Sequence, residues 1–372
     1  MIRYSEQSID EKDIDGVVQV LTSKHLTQGP LIEAFEEAMI ELTTSKYTAC
    51  VSSATAALHL TYLAAGMSKH SLVWTVANTF VATASTAIHC GAKVDFVDIE
   101  LKNYSLCEEK FKQKLEESKK IPDFLIVVHF AGRPVDLSKI APICDHYGIK
   151  IIEDASHALG AQSNGQMVGN CKYSLASVFS FHPVKTITTA EGGAVTSNDE
   201  NLINKIKKLR SHCIENDRII PWYRSQNEVG FNYRMSEMHA SLGISQLKKL
   251  KEFQKIRQEQ AERYFSSLAH LDIDLPNQDT PNSMSSWHLF VIKQRIIDEE
   301  MRNRKMLELI KANVGVNLHY FPLYKLKTFE KNVAEFPNNE EYFKTAISIP
   351  LNAKMTKNDQ MVVIKQLERI YS

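Results

Sequence analysis

Lys185 is the residue in this chain best suited to covalent chemistry. It follows an apolar run, Leu175 to Phe181, that reads as a buried strand, and it precedes a Thr-rich turn and Gly192-Gly193. A desolvated lysine loses its proton more easily, and the neutral amine attacks carbonyl carbon. Alone in a loop, a lysine snorkels to solvent, so its neighbours decide. Asp154 ends Ile151-Ile152-Glu153-Asp154 and is either a site carboxylate or a helix N-cap. His157, three residues on, is a site partner or a satisfied surface histidine. Ser53-Ala54-Thr55 turns a strand, Tyr47 to Val51, into a helix reaching about Ala65. Open backbone N–H groups and the helix dipole favour an anion there, an ordinary Ser cap being the plain alternative. Phe80 lies in the Val73–Thr83 segment, as an aromatic face for a flat ring or as a core side chain.

Those residues need elements to hold them. Helices are expected over 9–22 and Leu31–Leu42, joined by Lys24-His25-Leu26-Thr27-Gln28-Gly29-Pro30. Strands at Ala92–Ile99, Phe124–Phe130 and Lys150–Glu153 alternate with helices at Glu108–Glu117 and Asp136–Tyr147. Such alternation implies a mainly parallel, helix-covered sheet, with ligands at the carboxyl ends of strands. Ala194–Thr196 is a further strand, Leu202–Leu209 a helix, and Cys213–Asn227, with Pro221, Trp222 and Tyr223, a loop. Glu237 opens a long helix with apolar spacing. From about residue 251 the pattern changes. A helix over 251–268, strands at Trp287–Gln294 and Gly315–His319, and helices at Met301–Asn313 and Asp359–Ile370 predict a small α+β lobe. The division expected is a large domain, 1–250, and a small one, 251–372.

Lys plus Arg and Asp plus Glu number 44 each, so no net field favours nucleic acid or an anionic membrane. Six cysteines show no CxxC spacing, which suggests neither a metal site nor a redox pair. They read as buried free thiols in a reducing compartment. The first residues lack an apolar signal region, and Leu72–Ile88 is too interrupted to span a membrane. A cytoplasmic protein is expected.

Ser180-Phe181-His182-Pro183-Val184-Lys185, followed by Thr189-Ala190-Glu191-Gly192-Gly193, resembles the cofactor-lysine segment of the DegT/DnrJ/EryC1/StrS sugar aminotransferases. The likeness runs nearly end to end. It implies an α/β protein of PLP-dependent transferase fold type I (aspartate aminotransferase-like), with a large mainly parallel sheet domain and a small α+β C-terminal domain. It implies that Lys185 holds pyridoxal 5'-phosphate (PLP) as a Schiff base and then shuttles protons. Asp154 keeps the pyridine nitrogen protonated, so the ring becomes an electron sink. His157, where the family often has Gln, reaches the ring oxygen. Phe80 stacks on the ring, although Ala77 stands where the family usually has Pro. Ala54, Thr55 and Ser180 hold the phosphate. Asn232, in Gly230-Phe231-Asn232-Tyr233-Arg234-Met235, reaches the phosphate of the neighbouring subunit, which implies a homodimer with shared sites. Tyr4, Lys24, His25, Leu26, Thr27, His319 and Tyr320 border the sugar.

The activity implied is transfer of an amino group from an amino-acid donor, L-glutamate, to C4 of a UDP-linked 4-keto-6-deoxy-N-acetyl-hexosamine. The context implied is pseudaminic acid or related nonulosonate synthesis. Perosamine, bacillosamine and legionaminic-type aminotransferases share the same catalytic set. The sugar dehydratases of the family lack the lysine, and a non-catalytic relative would not need lysine, aspartate and phosphate cradle together.

Overall fold

The computed structural model describes residues 1–217, 219–220 and 222–371. Arg218, Pro221 and Ser372, all inside segments named above, lie outside the described residues. The strands run in order β1 (Tyr47–Val51), β2 (Leu72–Val76), β3 (Lys93–Val97), β4 (Phe124–Val128), β5 (Lys150–Asp154), β6 (Gln162–Ser163), β7 (Gln166–Met167), β8 (Ala176–Ser180) and β9 (Gly193–Ser197). All but the short β6–β7 hairpin form one seven-stranded sheet of order β1-β9-β8-β5-β4-β2-β3. Within it β9 is antiparallel to both neighbours, and the pairings among β8, β5, β4, β2 and β3 are parallel. β4, Phe-Leu-Ile-Val-Val, is buried at every position, the pattern of a strand covered on both faces.

The cover comes from α1 (Glu11–Leu21), α2 (Pro30–Thr43), α3 (Ala54–Ala64), α4 (Ala82–His89), α5 (Glu108–Glu117), α6 (Leu137–Tyr147) and α7 (Glu200–Leu209). α8 (Glu237–Lys248) packs on α1 and α2 and leads into α9 (Leu250–Leu268). Their ends follow local chemistry. Asp10 and Asp13 form a reciprocal capping box on α1, Asp136 accepts the Ser138 N–H at the start of α6, and Gly148 closes α6 in a left-handed conformation.

Two expectations fail. Cys213–Asn227 is not a plain loop: β10 (Ile214–Asn216) pairs antiparallel with β11 (Arg224–Gln226) as a hairpin. Three-residue strands carry too little alternation to be seen in sequence. Gly315–His319 is not a strand. The Gly315 N–H goes to Ile2 O at 2.7 Å, whereas Asn317 bridges to Ser348, so two different partners split the segment. The C-terminal sheet is instead β12 (Ile273–Asp274), β14 (Phe290–Gln294) and β15 (Ala346–Ile349), all antiparallel, while β13 (Ser283–Met284) joins β6. Tyr264, Phe290, Ile347 and Leu367 centre the core behind it.

The first residues cross between the two parts. Ile2 pairs with Val314, Tyr4 O accepts the Leu351 N–H at 3.1 Å, and the Ser5 hydroxyl donates to Val184 O at 2.7 Å. The chain start thus straps the C-terminal sheet to the loop carrying Lys185.

Candidate active site

β1, β2, β5 and β8 deliver their carboxyl ends to one cavity of about 510 Å³. Ala54, Thr55, Phe80, Asp154, His157, Ser180 and Lys185 line it, as do Tyr4, His319 and Tyr320. The loop after β8 is pinned at both ends. The Phe181 N–H donates to Gly192 O and the Thr189 N–H to Phe181 O, each at 2.9 Å, and the Thr188 hydroxyl reaches Phe181 O at 3.0 Å. Lys185 is therefore held over the strand end. Burial pulls its amine from 10.5 down to about 8, with Asp154 acting in the opposite sense.

Strand alternation separates two adjacent carboxylates. Asp154 faces the cavity. Glu153 faces away, bonded to His129 Nε2 at 2.7 Å and to the Ser177 hydroxyl at 2.7 Å. Asp154 Oδ2 accepts the Thr83 hydroxyl at 2.6 Å, and Thr83 in turn meets the Thr79 hydroxyl at 2.8 Å. Oδ1 takes the Ser156 N–H at 3.2 Å. The carboxylate is thus oriented by two donors, one to each oxygen.

His157 Nδ1 accepts the Ala131 N–H at 3.3 Å, and its Nε2 lies 2.9 Å from the Tyr320 hydroxyl. The His288 ring packs 4.3 Å from it, centroid to centroid. Burial, reinforced by the Lys185 charge and by the neighbouring His319, holds His157 well below the usual histidine range. His319 is pushed down to about 3 by burial and by Lys185; its Nδ1 meets the Ser348 hydroxyl at 2.8 Å, and its ring lies 5.4 Å from that of Tyr4. The wall opposite Lys185 is thus made of neutral rings.

At the other end of the cavity α3 begins. Ser53 Oγ takes the Ala56 N–H at 3.1 Å, leaving neighbouring N–H groups of the first turn open to an anion. Gly193 backs this turn: a Cβ there would stand 2.6 Å from Ala54 N. Only glycine lets β9 approach so closely. The Phe80 ring is 57% exposed although it lines the cavity, an unusual state for an aromatic outside a core.

Lys24, His25, Leu26, Thr27 and Asn232 do not line this cavity; all are exposed. The 24–27 loop is held instead by the residues that open α8, while Asn232 bridges to Ser211. Thr27 bridges to Ser236, and the Glu237 N–H donates to Leu26 O at 3.1 Å.

The sequence profile of the DegT/DnrJ/EryC1/StrS aminotransferase family matches residues 7–368. The chain belongs to that family. Among relatives of this aminotransferase, the UDP-4-amino-4,6-dideoxy-N-acetyl-beta-L-altrosamine transaminase of Campylobacter jejuni strain 81-176 is 38% identical, over 98% of this chain and 96% of the relative. A Helicobacter pylori aminotransferase involved in the biosynthesis of pseudoaminic acid superposes with a TM-score of 0.89 at 29% identity, covering 100% of this chain and 99% of the other. A putative sugar aminotransferase of Streptococcus pneumoniae, solved in a PLP form, gives 0.92 at 26% identity with 100% of both chains covered.

The cofactor of this aminotransferase is PLP, and the groups present suit it. A helix start fits a phosphate, an exposed aromatic face fits a flat ring, a buried carboxylate fits a ring nitrogen, and a lysine with a lowered pKa fits an aldehyde. Sequence reasoning missed Thr83 and His288. Four-residue spacing from Thr79 placed the Thr83 hydroxyl on the same face of the turn, a signal available in the sequence. His288, at the lead into β14, gave none. No helix among the described residues is long and apolar enough to cross a membrane.

Proposed function

We propose that this aminotransferase moves an amino group, supplied by L-glutamate, onto C4 of a UDP-linked 4-keto-6-deoxy-N-acetyl-hexosamine in pseudaminic acid or related nonulosonate synthesis. The observation carrying the reading is Lys185, with its amine near pKa 8, in one cavity with Asp154 and the α3 start. The 38% identity to the Campylobacter transaminase supports the sugar.

Bound PLP supplies an aldehyde that accepts the amino group and a ring that stores the electron pair. Lys185 would be the residue that holds that aldehyde, and an incoming amine would free its Nζ. Its Nζ then moves the proton on and off the substrate carbon, a task suited to an amine titrating near working pH. Asp154, steadied by Thr83 and Ser156, would hold the ring nitrogen. The first turn of α3, with Ala54, Thr55 and Ser180, would hold the phosphate, and Phe80 would cover the ring. Tyr4, His319 and Tyr320 wall the space left for the sugar and exclude water.

Asn232 and Lys24–Thr27 are assigned to the site of a second copy in a homodimer. Their exposure outside their own cavity supports this. Six unpaired thiols suit a reducing compartment, and the cytoplasm is taken as the location. The test is a panel of UDP-, GDP- and dTDP-linked keto-sugars with L-glutamate, followed by release of 2-oxoglutarate. Turnover confined to a GDP or dTDP sugar would overturn the substrate. No turnover with any keto-sugar would overturn the reaction.

A further inference from the structure

We infer that the Tyr320 hydroxyl, rather than His157, meets the ring oxygen of the cofactor, and that His157 acts behind it as a positioning residue. The inference rests on the reading that PLP binds at Lys185, and it follows from counting protons. A neutral imidazole has one N–H and one lone pair. His157 Nδ1 faces the Ala131 N–H at 3.3 Å, so the lone pair is at Nδ1 and the proton at Nε2. The other tautomer would set two N–H groups against each other. Nε2–H then donates to the Tyr320 oxygen at 2.9 Å. Both nitrogens of His157 are spent on the protein, and neither is left for a ligand.

Tyr320 is left with the opposite balance. Its oxygen accepts from His157, so its own proton is free to be given elsewhere. The residue lines the cavity together with Phe80, 6.2 Å away between ring centroids. Its position is fixed on other sides: the Tyr320 N–H donates to Asn78 Oδ1 at 3.0 Å, and Phe130 packs 6.1 Å from the ring. Burial, with the Asp154 charge nearby, pushes the phenol well above its usual range, so it remains a donor. The ring oxygen of PLP is acidic, and its anion is stabilised by a directed O–H. His288, whose ring packs 4.3 Å from that of His157, limits how far that imidazole can turn.

The readout is the pH at which the visible absorption of the bound cofactor titrates. A donor to the ring oxygen favours its anion, so removing the donor raises that pH. Tyr320→Phe keeps the ring packing and removes only the hydroxyl. Its midpoint is expected to rise by about one pH unit, the size expected from losing one hydrogen bond to an ionised oxygen. His157→Phe, which leaves Tyr320 present but unguided, is expected to give a smaller rise. A full-sized shift in His157→Phe with a wild-type midpoint in Tyr320→Phe would overturn the inference, as would no shift in either. Should Tyr320→Phe not fold, 3-fluorotyrosine at position 320 serves instead: a more acidic hydroxyl donates more strongly and moves the midpoint down, and an unmoved midpoint refutes the contact. Wild-type protein with no visible band at all would refute the PLP reading itself, a distinct outcome.

Discussion

The Glu237 carboxylate caps the first turn of α2 across 208 positions of sequence, accepting the Gly29 N–H at 3.0 Å, and takes the Leu31 N–H at 2.9 Å. It is buried, and it replaces the local side-chain cap that Gly29 cannot provide. Glu237→Ala leaves these donors without a partner and is expected to lower the unfolding free energy by about 1–3 kcal/mol. Urea unfolding of the cofactor-free protein measures it. A loss within error of zero would mean that water replaces the carboxylate at no cost.

Lys185→Met should abolish turnover and give a specific change in pH dependence. The wild-type amine is lowered from 10.5 to about 8, so between those values the unfolded chain binds more protons than the folded one. Stability of cofactor-free wild type therefore rises with pH across that window, and the penalty is fully present below it. The variant lacks this rise. Parallel unfolding midpoints for the two proteins from pH 8 to 10.5 would contradict the lowered amine.

Asp154→Asn keeps the shape of the side chain and loses its charge. Turnover should fall by on the order of a hundredfold or more, because a fixed charge at a developing charge is removed. Thermal stability should change little, since an end-of-strand cap costs about 1 kcal/mol at most here. Near-normal turnover would reduce Asp154 to a structural role.

Thr83 gives a finer version of that experiment. Thr83→Val removes the hydroxyl that Asp154 accepts at 2.6 Å, while Thr83→Ser keeps it. Turnover should drop about tenfold in the first and recover in the second, as expected for one hydrogen bond to a charged group. Equal losses in both would point to packing of the methyl group instead.

Sharing of sites between subunits is tested by mixing. Lys185→Ala and Asn232→Ala each impair a pure dimer. In a mixed dimer with Asn232 acting on the neighbour, one site carries both defects and the other carries none, so about half of the activity returns. No recovery means that Asn232 serves its own chain.

Much of this was legible in the sequence because the site hangs on strand ends. Apolar runs located β4, β5 and β8, and the chemistry-bearing residues follow such runs directly. What escaped depends on distant partners. Asn317 divides its segment by pairing with Ser348, and the cap on Gly29 comes from Glu237. The pairing of His157 with Tyr320 joins residues 163 positions apart, and no local spacing encodes it. The small strands β10 and β11 were invisible for a different reason, since three residues cannot establish a period.

The strap formed by the first residues bears on how the protein is made. Ile2 and Tyr4 leave the ribosome about three hundred residues before their partners, Val314 and Leu351. Until then Ile2 and Tyr4 lack these backbone partners, and the wall that Tyr4 shares with His319 and Tyr320 does not exist. A nascent chain can form α3 and the turn around Lys185 well before that point. Capture of the cofactor in a closed pocket therefore waits until the chain has been made through Leu351, and chains truncated before Val314 should emerge colourless.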